Sequence, residues 1–85
     1  MKNIMITGGA GFIGTHVVQQ FLIEHPEYEI YNIDKLTYAA NPSTAHRFDS
    51  FPHYHFIQRD ICDIDEKFLE KYQIDGIIHL AAESH

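Results

Sequence analysis

The 85 residues contain a single cysteine, Cys62, so no disulfide can close within the chain. Cys-x-x-Cys pairs, which open many zinc sites, are also missing. A reducing, cytoplasmic setting is the simplest one for such cysteine usage. The aliphatic run Ile61 to Ile64 around Cys62 points to a packed, chemically silent thiol. Basic residues are scarce, 6 Lys and Arg against 12 Asp and Glu, for a formal charge of −6. That balance argues against general attraction to nucleic acid or to an anionic membrane surface. Long hydrophobic runs are absent too. The opening Met1-Lys2-Asn3-Ile4-Met5-Ile6 ends at Thr7-Gly8-Gly9, too short to cross a bilayer and without a signal-peptide cleavage pattern.

Histidine, by contrast, is frequent: His16, His25, His46, His53, His55, His79 and His85. None forms a His-x-x-x-His pair on an expected helix. His53 and His55 would share one face of a strand, but two ligands do not make a zinc site, so no metal is expected. Repeats, low-complexity tracts and internal linkers are lacking, and the 45% hydrophobic content is that of a globular chain.

Four apolar runs read as strands: Asn3–Thr7, Glu29–Ile33, His55–Gln58 and Gly76–Ala81. The first and last are nearly continuous Ile, Met and Leu, the pattern of strands covered on both faces. Phe12, Ile13, Val17, Val18, Phe21 and Leu22 recur at helical spacing as one stripe, and Pro26 ends that helix. A short helix is expected from Ser43 to Phe48, with Asn41 as cap and Pro42 in its first turn. Another is expected over Asp65–Tyr72, burying Phe68 and Leu69, with Asp65 and Glu66 suited to its positive end.

The alternation of strand and helix predicts parallel pairing with right-handed crossovers. The expected fold is α/β, the first half of a Rossmann-type doubly wound sheet with strand order 3-2-1-4. A fourth strand with an unpaired apolar edge would be an association hazard. Residues 1–85 are therefore expected to be the N-terminal part of a larger dinucleotide-binding domain, the rival reading being a natural mini-domain that buries this edge in an oligomer.

Thr7-Gly8-Gly9-Ala10-Gly11-Phe12-Ile13-Gly14 follows the first strand and opens the first helix. It satisfies Gly-x-x-Gly-x-x-Gly through Gly8, Gly11 and Gly14, and Gly-x-Gly-x-x-Gly through Gly9, Gly11 and Gly14. An early glycine permits the sharp turn, and Gly11 lets backbone amides approach a pyrophosphate without a Cβ in the way. Gly14 lets the helix lie close to the sheet. The amides of Phe12 and Ile13 are the expected donors. No Gly-Lys-Ser/Thr follows, which excludes an ATP-type phosphate loop.

Asp34 stands twenty positions past Gly14. There a carboxylate accepts from ribose hydroxyls and repels a 2′-phosphate, favouring NAD over NADP. Lys35 beside it softens that preference, and a merely solvated strand-end aspartate is the bland alternative. Asp60, with Ile61 beside it, would receive the adenine amino group or simply cap the next turn. Leu80-Ala81-Ala82-Glu83-Ser84-His85 ends the last strand with small residues at the carboxyl edge, where such sheets bind ligands.

On these segments the chain resembles the extended short-chain dehydrogenases/reductases. Asp34-Lys35-Leu36-Thr37-Tyr38-Ala39-Ala40-Asn41, Asp60-Ile61 and His79–His85 narrow the likeness to the dTDP-glucose 4,6-dehydratase family, over roughly the first quarter of such an enzyme. The resemblance implies NAD as cofactor, with Phe12 and Ile13 at the pyrophosphate. It sets Asp34, Lys35, Leu36 and Thr37 around the adenosine ribose, and Asp60 and Ile61 at adenine. Leu80, Ala81, Ala82, Glu83 and Ser84 would line the ribose and nicotinamide side, with His85 toward the sugar nucleotide.

It further implies oxidation at C4 of the hexose, loss of water across C5 and C6, and return of the stored hydride to C6. A cytoplasmic homodimer serving deoxysugar or rhamnose synthesis would follow. The proton-transfer residues, a Tyr-x-x-x-Lys pair and an acidic pair, are expected outside this chain; Tyr72 has Gly76 at its fourth position. No catalytic residue is therefore assigned here, and the segment alone is expected to be inactive. A nucleotide-sugar 4-epimerase or decarboxylase, and a non-catalytic dinucleotide-binding module, are the alternatives.

Overall fold

Residues 2–8, 12–35 and 46–80 are described by the computed structural model. Four strands, β1 (Asn3–Thr7), β2 (Glu29–Asp34), β3 (Tyr54–Gln58) and β4 (Gly76–His79), form one sheet in the order β3-β2-β1-β4. Every pairing is parallel. Strand order and direction are those expected of a Rossmann-type half-sheet.

Alternation along the strands sends successive side chains to opposite faces. Ile4, Ile6 and Ile30 pack with Val18 and Leu22 of α1 (Phe12–Glu24), together with Phe48 and Tyr54. Met5 and Ile33 pack on the other face with Phe68 of α2 (Glu66–Lys71). Each helix thus covers one side of the sheet, which is the doubly wound arrangement.

At about 100° per residue, Gly14, Thr15, Val18 and Leu22 fall on one arc of α1, and all four are buried. Ile13 lies on the opposite arc with His16, Gln20 and Ile23, and is 66% exposed. It does not belong to the apolar stripe in which it was expected. The helix ends where His25 N–H donates to Phe21 O at 2.8 Å and Pro26 begins a turn closed by Tyr28 N–H on His25 O, 3.0 Å.

The helix α2 occupies the core of its expected span. Asp65 caps it, accepting from Phe68 N–H at 2.9 Å. At its other end Gln73 takes φ 53°, a left-handed conformation that glycine adopts at much less cost. Ile74 N–H reaches back to Leu69 O at 3.0 Å. The Asn3 side-chain amide donates to Tyr72 O and Gln73 O, each at 3.1 Å. Asn3 N–H donates to Asp75 Oδ2 at 2.9 Å, which aligns β4 beside β1.

Three further expectations are corrected. The helix expected from Ser43 to Phe48 lies partly outside the described residues. Its described end, from His46, is a run of turns with Asp49 N–H on His46 O and Phe51 N–H on Phe48 O. The strand β4 is not covered on both faces: it is the edge of the described sheet, and Ile77 is 52% exposed. Cys62 is exposed rather than packed. It sits in a short 3-10 turn, Ile61–Asp63, where residues three apart share a face. Ile64 takes the inward position against the α2-side core and Cys62 points elsewhere.

Candidate functional site

Parallel strands bring all four carboxyl ends to one edge, and Gly8, Asp34, Lys35, Asp60 and Leu80, among the described residues singled out from the sequence, stand at or just past those ends. Gly8 leaves β1 with φ 77°, a conformation that L side chains rarely adopt, while its N–H donates to Ile33 O at 2.9 Å. The turn therefore starts with its backbone tied to β2. Gly9, Ala10 and Gly11 lie outside the described residues. The helix α1 then begins at Phe12, and no acidic side chain stands in its first turn. Its amide-bearing end is left positive, as an incoming phosphate requires.

At the end of β2, Asp34 is 5% exposed. This excludes a merely solvated strand-end residue and sets a carboxylate into the edge. Arg59 N–H donates to Asp34 O at 3.1 Å, and the Gln58 side-chain amide to Lys35 O at 3.3 Å. The strand ends of β2 and β3 are thereby stitched together. Asp60 does cap the next turn: its Oδ1 accepts from Cys62 N–H at 2.9 Å. That bond, the contact with Cys62 and the nearby Lys35 ammonium hold the Asp60 carboxyl below the usual carboxylate range. Oδ2 faces Lys35 Nζ at 3.5 Å. A carboxylate has about four acceptor positions, so the cap leaves room for a further donor such as an adenine amino group.

Ile61 opens the 3-10 turn, and Leu80 follows β4 with its N–H on Thr7 O at 2.9 Å. Leu36, Thr37, Ala81, Ala82, Glu83, Ser84 and His85 lie outside the described residues. One contact at the edge was not read from the sequence. The Thr7 hydroxyl and His79 Nδ1 stand 2.7 Å apart, joining the ends of β1 and β4. The β1–β4 register, which sets Thr7 beside His79, was the signal that could have found it.

Among the described residues no cluster of His, Cys, Asp or Glu could hold a metal ion. His53 and His55 do not converge. His53 Nε2 bonds Leu22 O at 3.1 Å on the α1 side, whereas His55 stacks on Tyr31 with ring centroids 4.7 Å apart and bonds Glu29 at 2.6 Å. No helix of the described residues is long and apolar enough to cross a membrane.

A Tyr-x-x-x-Lys spacing does occur, at Tyr31 and Lys35, against the expectation that the chain lacks one. On a helix that spacing puts both side chains on one face. Here it runs out along β2, where four residues span about 13 Å. Tyr31 stacks on His55 while Lys35 reaches toward Asp60, so the two do not form a proton-transfer pair.

The sheet order, the positive-φ glycine after β1 and the buried aspartate at the β2 end are those of a Rossmann-type half-sheet. The chain belongs to the NAD dependent epimerase/dehydratase family, whose model matches residues 4–85. The dTDP-glucose 4,6-dehydratase of Haemophilus influenzae is 49% identical to it, covering 100% of this chain and 25% of the relative. Among solved structures, the dTDP-glucose 4,6-dehydratase of Bacillus anthracis in complex with NAD matches with a TM-score of 0.87. It is 34% identical over 98% of this chain and 27% of its own length. The UDP-Glc/GlcNAc 4-epimerase of Campylobacter jejuni matches with a TM-score of 0.84 at 29% identity, over 100% of this chain and 26% of its own. The chain thus spans about a quarter of the length of the curated relatives it matches.

Proposed function

We propose that the carboxyl edge of this sheet holds NAD in a nucleotide-sugar 4,6-dehydratase that converts dTDP-glucose to its 4-keto-6-deoxy product. The buried carboxylate of Asp34, beside a glycine turn opened at positive φ, carries the reading. It provides an acceptor for a ribose diol next to an uncompensated helix N-terminus. The likeness to several dTDP-glucose 4,6-dehydratases supports the choice of substrate.

In this reading the amides of Phe12 and Ile13 hold the pyrophosphate. Asp34, Lys35, Leu36 and Thr37 surround the adenosine ribose, and Asp60 and Ile61 meet adenine. Leu80, Ala81, Ala82, Glu83 and Ser84 line the nicotinamide side, and His85 faces the sugar nucleotide. Bound NAD would supply the reversible hydride acceptor. The residues of this chain bind and orient it, and proton transfer belongs to residues beyond them. The 85-residue chain by itself is expected to be inactive. A cytoplasmic homodimer in deoxysugar or rhamnose synthesis completes the proposal.

The protein expressed from its complete reading frame, incubated with dTDP-glucose and NAD, tests this by NMR of the product. A 4-keto-6-deoxy sugar is the expected result, and an unchanged sugar counts against it. A C4 epimer would instead support the second reading, a 4-epimerase, which the likeness to the Campylobacter jejuni enzyme favours.

A further inference from the structure

Asp34 alone does not settle which dinucleotide the edge accepts, because a lysine follows it. A free ammonium at Lys35 would draw the 2′-phosphate of NADP and offset the repulsion from Asp34. The structure shows where that ammonium goes. Lys35 Nζ lies 3.5 Å from Asp60 Oδ2, and both ends of the contact are held by backbone. Asp60 is anchored through its other oxygen to Cys62 N–H at 2.9 Å. The Lys35 carbonyl accepts from the Gln58 side-chain amide at 3.3 Å, and the preceding Asp34 carbonyl accepts from Arg59 N–H at 3.1 Å. Arg59, the other cation at this edge among the described residues, carries its guanidinium over the Phe68 ring, 5.1 Å from the centroid.

We propose that Asp60 is a specificity-determining residue: by holding the Lys35 ammonium it leaves the edge with two carboxylates against one engaged cation, and so excludes the 2′-phosphate of NADP. The inference rests on the dinucleotide reading above and adds the group that decides between the two cofactors. The pair is half-exposed, with side-chain exposures of 50% and 37%, so it contributes little to stability. Its effect lies in where it puts the charge. A 2′-phosphate carries nearly two negative charges, so one unit of charge removed nearby shifts its affinity by about tenfold through a largely aqueous path. An NAD ribose, being neutral at that position, is hardly affected.

The test is calorimetric titration of NAD and NADP into the protein expressed from its complete reading frame and freed of bound nucleotide. The forms compared are wild type, Asp60→Asn, Lys35→Met and the double variant. Asparagine keeps the oxygen that caps the turn and removes the charge. Any lost contact to adenine weakens both dinucleotides alike, so the ratio of the two Kd values is the readout. Asp60→Asn is expected to lower the NADP-to-NAD Kd ratio by about tenfold, and adding Lys35→Met is expected to restore most of it. A ratio within about twofold of wild type in Asp60→Asn overturns the proposal, as does a gain that survives loss of Lys35. If Asp60→Asn does not fold, Asp60→Ser keeps a capping oxygen without the charge and is read in the same way. A wild type that binds neither dinucleotide removes the dinucleotide reading itself, an outcome distinct from NAD binding with an unmoved ratio.

Discussion

Replacing Tyr54 by phenylalanine removes one oxygen from the α1-side core and leaves the ring packing in place. The ring is 6% exposed and meets Phe48 edge-on with centroids 5.8 Å apart. The hydroxyl accepts from the Asn32 side-chain amide at 3.1 Å. Asn32 is 1% exposed, and its Oδ1 is buried without a hydrogen-bond partner. The substitution therefore strands the whole amide of Asn32 beneath the sheet, which costs roughly 1–3 kcal/mol. A domain of this size has only about 4–13 kcal/mol in total, so the loss is large. In urea, with a slope near 1–3 kcal/mol per molar, the midpoint should fall by roughly 1 M. Asn32→Leu removes both the amide and its orphaned oxygen and is expected to cost less than Tyr54→Phe. The double variant should then cost less than the sum of the singles by at least about 1 kcal/mol. Urea titrations followed by circular dichroism give all four values. A Tyr54→Phe cost below about 0.5 kcal/mol, or strict additivity in the double variant, would show that the Asn32–Tyr54 hydrogen bond contributes nothing to stability.

Burial holds the Tyr54 phenol above the ordinary 10.0, as burial and then the charge of Glu29 do for Tyr31. With folded values raised, the unfolded chain loses these protons first, so stability is full below pH 10 and falls as pH rises past it. Urea midpoints at stepped alkaline pH should show that fall, and Tyr54→Phe should flatten it; a midpoint that holds steady or rises above pH 10 contradicts it. Gln73→Gly relieves a left-handed residue at the end of α2 and is expected to stabilise by about 0.5–1 kcal/mol, whereas a loss in the same titration would show the Gln73 side chain to matter. Cys62 is exposed, and the hydrogen bond and charge of Asp60 push its thiol above the ordinary 9.0. It should react with iodoacetamide without unfolding, slowly, and faster in Asp60→Asn; protection in the folded state would restore the packed reading.

The strand order was legible because the sequence repeats one signal: an apolar run, a helical stripe, then another apolar run. Periodicity reports which residues of a helix can be buried, and it failed at Ile13, where a glycine and a threonine take the sheet-facing arc instead. Cys62 misled for a related reason. An aliphatic run suggests a strand or buried helix, but three residues of 3-10 turn present only every third position inward. The left-handed Gln73 gave no signal, since glycine and asparagine are the residues that announce such a cap. At the site, the places of Gly8 after β1, Gly14 in α1 and Asp34 at the end of β2 were readable from spacing alone. Lys35 with Asp60, and Thr7 with His79, were not. Both pairs stand at or just past the ends of neighbouring parallel strands far apart in sequence, and only the register brings them together.

In the proposed function Asp34 holds the ribose of NAD at the edge of this sheet. Calorimetric titration of NAD into the protein from its complete reading frame, as wild type and as Asp34→Ala, tests it most directly. Binding by the wild type and a loss of at least about tenfold in the variant are expected, the scale of a charge-assisted hydrogen bond withdrawn from a buried site. Equal affinity of the two, with the variant folded, would contradict it.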